Sequence, residues 1–326
     1  ELWFFNRDKP EERRDKVLMI DARNIYRKVT RRIYDFSPEQ EQNILAIVWL
    51  YRGQTERYLD LVSGYCRLIL TEAAACFNVE GENGECISPL PDFATAIGAL
   101  MDTLQPFLDT LPADAAHAEA KQDLDEAISA FHGGVETFRE ALAGQEEAWK
   151  MQKTNNGELK KAVQRLFALV ECSRDLIKQM DLLYKLASRL IETCENECDA
   201  KSSDVWVGRD INRTRKTADE ARRMAVEQLK QVRYFWRQAR RLTERFPEAQ
   251  LRDVEGLVKL VDRAEIEAND WSLTPGRYVG VAPEEEDEDF DFEDALREIH
   301  VELEELNAEA VTLAEMIKKN FEELGV

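Results

Sequence analysis

The sequence predicts a mainly α-helical protein, on three observations. Apolar residues recur at steps of three and four over most of residues 37–245, the period of an amphipathic helix. Only two short runs, Leu2 to Phe5 and Lys16 to Ile20, have the length and composition of strands. A heptad stripe occupies the last helix, where Phe292, Leu296, Ile299, Leu303, Leu306, Ala310, Leu313 and Ile317 alternate steps of four and three.

Taken in order, Leu2 to Phe5 and Lys16 to Ile20 are separated by the polar connection NRDKPEERRD and read as two strands. Two strands alone do not make a stable sheet, and the chain offers no other convincing strand cluster, so their pairing partners are expected to be missing. The chain also opens without Met, on an apolar aromatic run, which reads as a piece of something longer.

From Ser37 the period changes. Ser37 as cap, Pro38 at the first helical position and Gln40 three residues on form a capping-box signature. Ile44, Ile47, Val48 and Tyr51 give one apolar face, and Gly53 ends the helix. A second helix carries Tyr58, Leu61, Val62, Tyr65 and Ile69, and FNVEGENGECISPLP is a loop by its Gly, Asn and Pro content. Phe93, Ile97, Leu100, Met101 and Leu104 resume the helical spacing, and FHGG and KTNNGE punctuate two further helices. A stripe from Leu159 to Leu190 then predicts one helix over most of 158–198, roughly 60 Å at 1.5 Å per residue.

Between Arg209 and Arg245 the sign of the charge reverses. Arg213, Arg215, Lys216, Arg222, Arg223, Arg233 and Arg237 stand among further cations, with Tyr234, Phe235 and Trp236 interleaved. Cations with aromatics suit a nucleic-acid backbone; the same pattern also fits a solvated helix face with an aromatic core side.

The segment NDWSLTPGRYVGV, Asn269 to Val281, breaks the helical pattern with a proline and glycines, and nine acids in the eleven residues from Glu284 follow it. That acid run reads as a solvated hinge leading into the heptad helix. A large side chain of the stripe is worth about 1.5–3 kcal/mol when buried, so the helix wants a partner. Self-pairing is not encouraged, because Glu302 and Glu309 at g positions would meet Asn307 and Ala314 in a parallel dimer. Seventeen acids against three Lys or Arg from Glu284 onward point to a basic or mixed helical partner and keep this tail from DNA.

The totals narrow the function classes. With 326 residues, 44% hydrophobic and 33% charged, the chain is long enough for two or three folding units. A formal charge of −21 argues against a protein that coats nucleic acid over its whole surface. No apolar run spans a bilayer and no signal peptide is recognisable, so the expected location is cytoplasmic, without membrane contact. Six scattered cysteines favour reduced thiols. Cys194 and Cys198, one helical turn apart, offer two soft ligands where structural zinc needs four; no catalytic, cofactor-binding or metal residue is assigned.

Five ordered blocks carry a family resemblance: LWFFNRDK, DKVLMIDARNIYRKV, LAIVWLYRG, RFPEAQLRDVEGLVK and EIEANDWSLTPGRYVG. In these the chain resembles the C-terminal part of the modification (methyltransferase) subunit of type I restriction-modification enzymes, which are adenine-specific DNA methyltransferases. The resemblance implies that the two strands close a truncated doubly wound methyltransferase sheet. It divides the chain into 1–36 as the last strands, 37–200 as a helical region, 201–270 as a basic helical region returning to the methyltransferase body, 271–289 as a docking segment with acidic hinge, and 290–326 as a heptad helix for assembly. The complete subunit uses S-adenosylmethionine, whereas this chain has neither an N-P-P-F type motif nor any Gly-x-Gly, so no methyl transfer is expected from it alone.

The implied partners are the specificity subunit, the restriction subunit of the full complex, and double-stranded DNA through the assembly. Leu296, Ile299, Leu303, Leu306, Leu313 and Ile317 would seat on the specificity subunit. Trp271 and Leu273 would dock the 271–289 segment on the body, Pro275 and Gly276 would turn it, and Arg277 and Tyr278 would be presented from it, Arg277 toward DNA or into an ion pair that fixes the turn. Asp21 and Arg23 would be structural or line the cleft. The competing reading is an acidic coiled-coil scaffold or regulator with no link to DNA methylation.

Overall fold

The computed structural model describes residues 8–23, 25–28, 33–80, 84, 86–112 and 117–282, together with nine positions between 299 and 316. In chain order the elements are β1 (Lys16–Ile20), β2 (Arg27–Lys28), β3 (Tyr34–Asp35), α1 (Pro38–Tyr51), α2 (Thr55–Ala75), β4 (Val79–Glu80), β5 (Cys86–Ile87), α3 (Pro89–Leu108), α4 (His117–Lys150), α5 (Asn156–Glu197), α6 (Gly208–Arg245), β6 (Val258–Asp262) and α7 (Arg263–Ala268). The protein is mostly helical, and no described helix is long and apolar enough to cross a membrane. The expected strand Leu2 to Phe5 lies outside the described residues.

The chain forms two compact units. The larger, Gln42–Leu251, is helical among its described elements apart from the small β4–β5 ribbon, and it runs across the boundary expected at residue 200. Its entry helix starts as the sequence predicts: the Gln40 amide N donates to Ser37 Oγ at 3.2 Å, and the Ser37 amide N donates to Gln40 Oε1 at 2.9 Å. Both arms of the capping box are made. Gly53 then takes a left-handed φ of 72°, a conformation that side chains resist, and closes α1.

Short links make sequential helices antiparallel. Asn155 caps α5 by accepting from the Glu158 amide at 3.0 Å, and Arg165 of α5 donates to Gln145 of α4 at 2.9 Å while Arg189 reaches back to Asp123 at 3.4 Å. Thus α4 and α5 form a long hairpin. The break expected at FHGG is absent, because α4 runs unbroken through Gly133 and Gly134. Gly134 instead allows close approach: a Cβ there would lie 3.2 Å from Leu176 of α5 and would meet the Gln179 side chain. Likewise the segment read as pure loop contains the two-residue pairing of β4 with β5.

The helical core is filled by Tyr58, Phe93, Phe131, Phe138, Leu166 and Phe246, all fully buried. The basic helix α6 lies inside this body, packed against α2, α3 and α5. Tyr58 of α2 donates to the Leu242 carbonyl at 2.9 Å, and the Trp236 indole donates to the Val163 carbonyl of α5 at 2.9 Å.

The smaller unit joins Glu1–Glu41 with Arg252–Val326, so the helical body is an insertion in its sequence. Its sheet corrects the expectation that Lys16–Ile20 has no pairing partner in the chain. β1 pairs antiparallel with β6, from Lys16 opposite Asp262 to Ile20 opposite Val258. VKLVD is short and flanked by charge, which hides it as a strand. One face is covered by Met19, Val261, Ile266, Tyr278 and Val279, with Val17 and Leu273 packed alongside. Among the described residues neither β1 nor β6 pairs with a third strand.

Candidate functional site

The segment after β6 is built by local caps. Asp262 accepts from the Glu265 amide at 2.8 Å and starts α7, whose six residues end at Ala268. Asp270 and Trp271 then both adopt left-handed φ, 53° and 59°, a conformation costly for residues with a Cβ. Pro275–Arg277 is one 3₁₀ turn, closed by the Tyr278 amide donating to the Pro275 carbonyl at 2.9 Å.

This geometry reverses the roles expected of two aromatics. Trp271 is 54% exposed, with Arg263 5.7 Å from its ring centre, whereas Tyr278 is 6% exposed. The two left-handed residues place the Trp271 side chain outside the sheet core, and Tyr278 enters instead, its hydroxyl donating to the Ser272 carbonyl. Leu273 packs on the core as expected.

The guanidinium against the turn belongs to Arg23. Its Nη2 lies 2.6 Å from Asp21 Oδ2, and a Cβ built on Gly276 would sit 2.5 Å from that same Nη2. Gly276 therefore leaves room for the Asp21–Arg23 pair, which ties the residues following β1 to the turn. The bond from Arg23 holds the Asp21 carboxyl below the usual carboxylate range. Arg277 is exposed and makes no ion pair among the described residues.

On α6 the expected DNA-backbone residues mostly meet their own chain. Arg213 pairs with Asp210 at 3.1 Å, Lys216 with Glu220 at 3.7 Å and Arg223 with Asp219 at 2.7 Å. The Arg222 side chain is only 11% exposed; it pairs with Asp219 at 2.8 Å and with Asp181 of α5. Arg215, Arg233 and Arg237 are half-buried, the last two engaged by neighbours. Of the interleaved aromatics, Phe235 and Trp236 are buried, with the Phe167 ring tilted against Trp236 at 4.9 Å between centres, and Tyr234 is half-buried. Of the two patterns open to α6, its aromatics follow the core-facing one.

The heptad helix is described at nine positions, all helical, including Ile299, Leu303, Leu306 and Leu313; Leu296 and Ile317 lie outside the described residues. Leu303 is 52% exposed, and Ile299, Leu313 and Met316 are comparably open, while Leu306 is half-buried. At its described positions the stripe stays largely uncovered.

No group of three or more side chains able to hold a metal occurs among the described residues. Burial pushes the thiols of Cys66, Cys76 and Cys194 up to about 12, so these stay protonated and weakly nucleophilic at neutral pH. The chain matches no protein-family model, no curated protein and no solved structure.

Proposed function

We propose that this chain is the assembly segment of an adenine-specific DNA methyltransferase subunit, joining a type I restriction-modification complex through its heptad helix. The observation that carries the reading is the open apolar stripe of Ile299, Leu303 and Leu313 on a helical segment. Large aliphatic side chains at heptad spacing are stabilising only when a partner covers them. The five ordered sequence blocks make the specificity subunit that partner, and the two-stranded β1–β6 sheet is the margin of a larger methyltransferase sheet. S-adenosylmethionine and the methyl-transfer residues belong to the rest of the subunit, the restriction subunit joins the completed complex, and double-stranded DNA is held by the assembly.

The test is co-purification of the chain with a tagged specificity subunit. Leu303→Asp with Leu306→Asp is expected to abolish recovery while leaving the far-ultraviolet circular dichroism of the helical body unchanged. Undiminished recovery overturns the proposal. The same exposed stripe favours a second reading, an acidic scaffold that pairs with itself. Light scattering that finds a stable dimer lost in the same double variant, with no other subunit present, selects that reading instead.

A further inference from the structure

Three features meet at one point of α4. Gly133 and Gly134 stand side by side in the interior of a 34-residue helix, where glycine keeps more backbone freedom than any residue with a side chain. One turn on, the Thr137 hydroxyl donates to the Gly133 carbonyl at 2.9 Å, a back-bond that bends helices because it competes with the main-chain amide for the same acceptor. Across the interface with α5, a Cβ on Gly134 would lie 2.4 Å from Gln179 Oε1, and that oxygen is buried without a hydrogen-bond partner. A buried acceptor left unpaired is destabilising, so the straight form of α4 leaves one group to be satisfied.

The helix on either side of this point is tied to different neighbours. In residues 117–132, Asp123 meets Arg189 of α5 at 3.4 Å, and the Phe131 ring meets Phe93 of α3 edge to face with 5.3 Å between centres. In residues 135–150, Phe138 stacks on Phe77 at 5.9 Å, and Gln145 accepts from Arg165 of α5 at 2.9 Å. Each half is thus anchored by itself, and the glycines join them. Gly133 is exposed, and no neighbouring atom stands within 4 Å of the position its Cβ would take. Packing therefore does not require a glycine there; only Gly134 serves the close approach to α5.

We propose that Gly133 and Gly134 are a hinge at which α4 bends, the turn opening so that a freed main-chain amide donates to Gln179 Oε1 while the Thr137 hydroxyl keeps the Gly133 carbonyl satisfied. The hinge divides the α4–α5 hairpin into two arms that move relative to each other, and the apolar contacts of each arm stay in place. It lies within the larger unit and does not depend on the assembly reading.

The experiment is native-state amide exchange of the whole chain at pH 7. In wild type the amides of residues 134–138 are expected to be about tenfold less protected than those of the flanking turns at 124–129 and 140–143. Gly133→Ala, which adds a strong helix former where no atom obstructs it, should slow exchange of 134–138 about fivefold and leave the flanking turns unchanged. Gln179→Leu and Thr137→Val remove the waiting acceptor and the back-bond, and each should slow the same amides. Gly144→Ala, at a lone glycine further along α4 that is equally unobstructed, should not alter them. Nitroxide labels at the exposed positions Gln122 and Glu146, about 36 Å apart along a straight helix at 1.5 Å per residue, should give a broad distance distribution in wild type and a narrower one in Gly133→Ala. Equal protection along wild-type α4, indifference of residues 134–138 to Gly133→Ala, faster exchange in Gln179→Leu, or a distance distribution as narrow in wild type as in Gly133→Ala would each overturn the proposal.

Discussion

The hydroxyl of Tyr58 donates to the main-chain carbonyl of Leu242 at 2.9 Å, bridging residues 184 apart in sequence and fastening α2 to α6. The phenol is fully buried, and desolvation raises its pKa, so it remains a donor at every ordinary pH. Tyr58→Phe removes the donor and leaves the Leu242 carbonyl with its bond from the Phe246 amide at 2.9 Å. The expected loss is therefore at the low end for a buried hydrogen bond, about 0.5–1 kcal/mol, read as a lower urea midpoint with an unchanged slope. A loss of several kcal/mol would mean the ring has moved out of its site.

The Asp21–Arg23 pair sets a pH dependence for the sheet unit. Arg23 lowers the Asp21 pKa in the folded chain relative to about 3.9 when unfolded, so the folded form binds that proton more weakly. The stabilisation is present in full above the unfolded pKa and fades as pH falls through the folded one. Because Arg23 is largely exposed, solvent screens the pair and its contribution is small. Asp21→Asn should reduce hydrogen-exchange protection of β1 and of residues 275–279 at pH 7, and the difference from wild type should shrink below about pH 4. A difference that persists at low pH would assign the effect to packing.

Two glycines of the same unit separate soft from hard steric limits. A Cβ on Gly276 meets the far end of the flexible Arg23 side chain, whereas a Cβ on Gly256, at φ +71°, would collide with the main chain of Ala282. Gly256→Ala should cost about 2 kcal/mol or more, from left-handed strain added to an unyielding contact. Gly276→Ala should cost about 1 kcal/mol or less, and most of that should vanish in an Arg23→Ala background, a coupling that a double-mutant cycle measures.

Thiol chemistry should sort the cysteines by burial. Cys86 is exposed, its Sγ donating to Asn78 Oδ1 at 3.0 Å, and Cys198 is partly open, whereas Cys66, Cys76 and Cys194 are buried with thiols near 12. Iodoacetamide at pH 8 should label Cys86 first and leave the three buried residues unmodified until denaturant is added, as read by peptide mass spectrometry. Early labelling of Cys194 would show that the end of α5 opens readily.

What was legible in the sequence is what local chemistry dictates. The capping box at Ser37 and Gln40 and the long stripe of α5 depend on near neighbours, and both appear where their spacing puts them. Non-local facts were hidden. Nothing in VKLVD shows that it meets KVLMI across about 240 residues. The inward turn of Phe235 and Trp236 depends on α5 supplying the Val163 carbonyl and Phe167. Gly133–Gly134 resembles a helix breaker until Leu176 and Gln179 fill the space beside it. Trp271 resembles a docking anchor because left-handed φ at Asp270 and Trp271, neither of them glycine, leaves no compositional trace.

The pairing of β1 with β6 also orders events during synthesis. A ribosome adding roughly 5–20 residues per second takes on the order of 10–50 seconds to pass from the first strand to its mate. Throughout that interval Val17 and Met19 await cover while the intervening helices have time to condense. A nascent chain stalled before residue 258 should therefore carry a protease-resistant helical body with β1 still cleavable, and release past residue 280 should protect β1 as well.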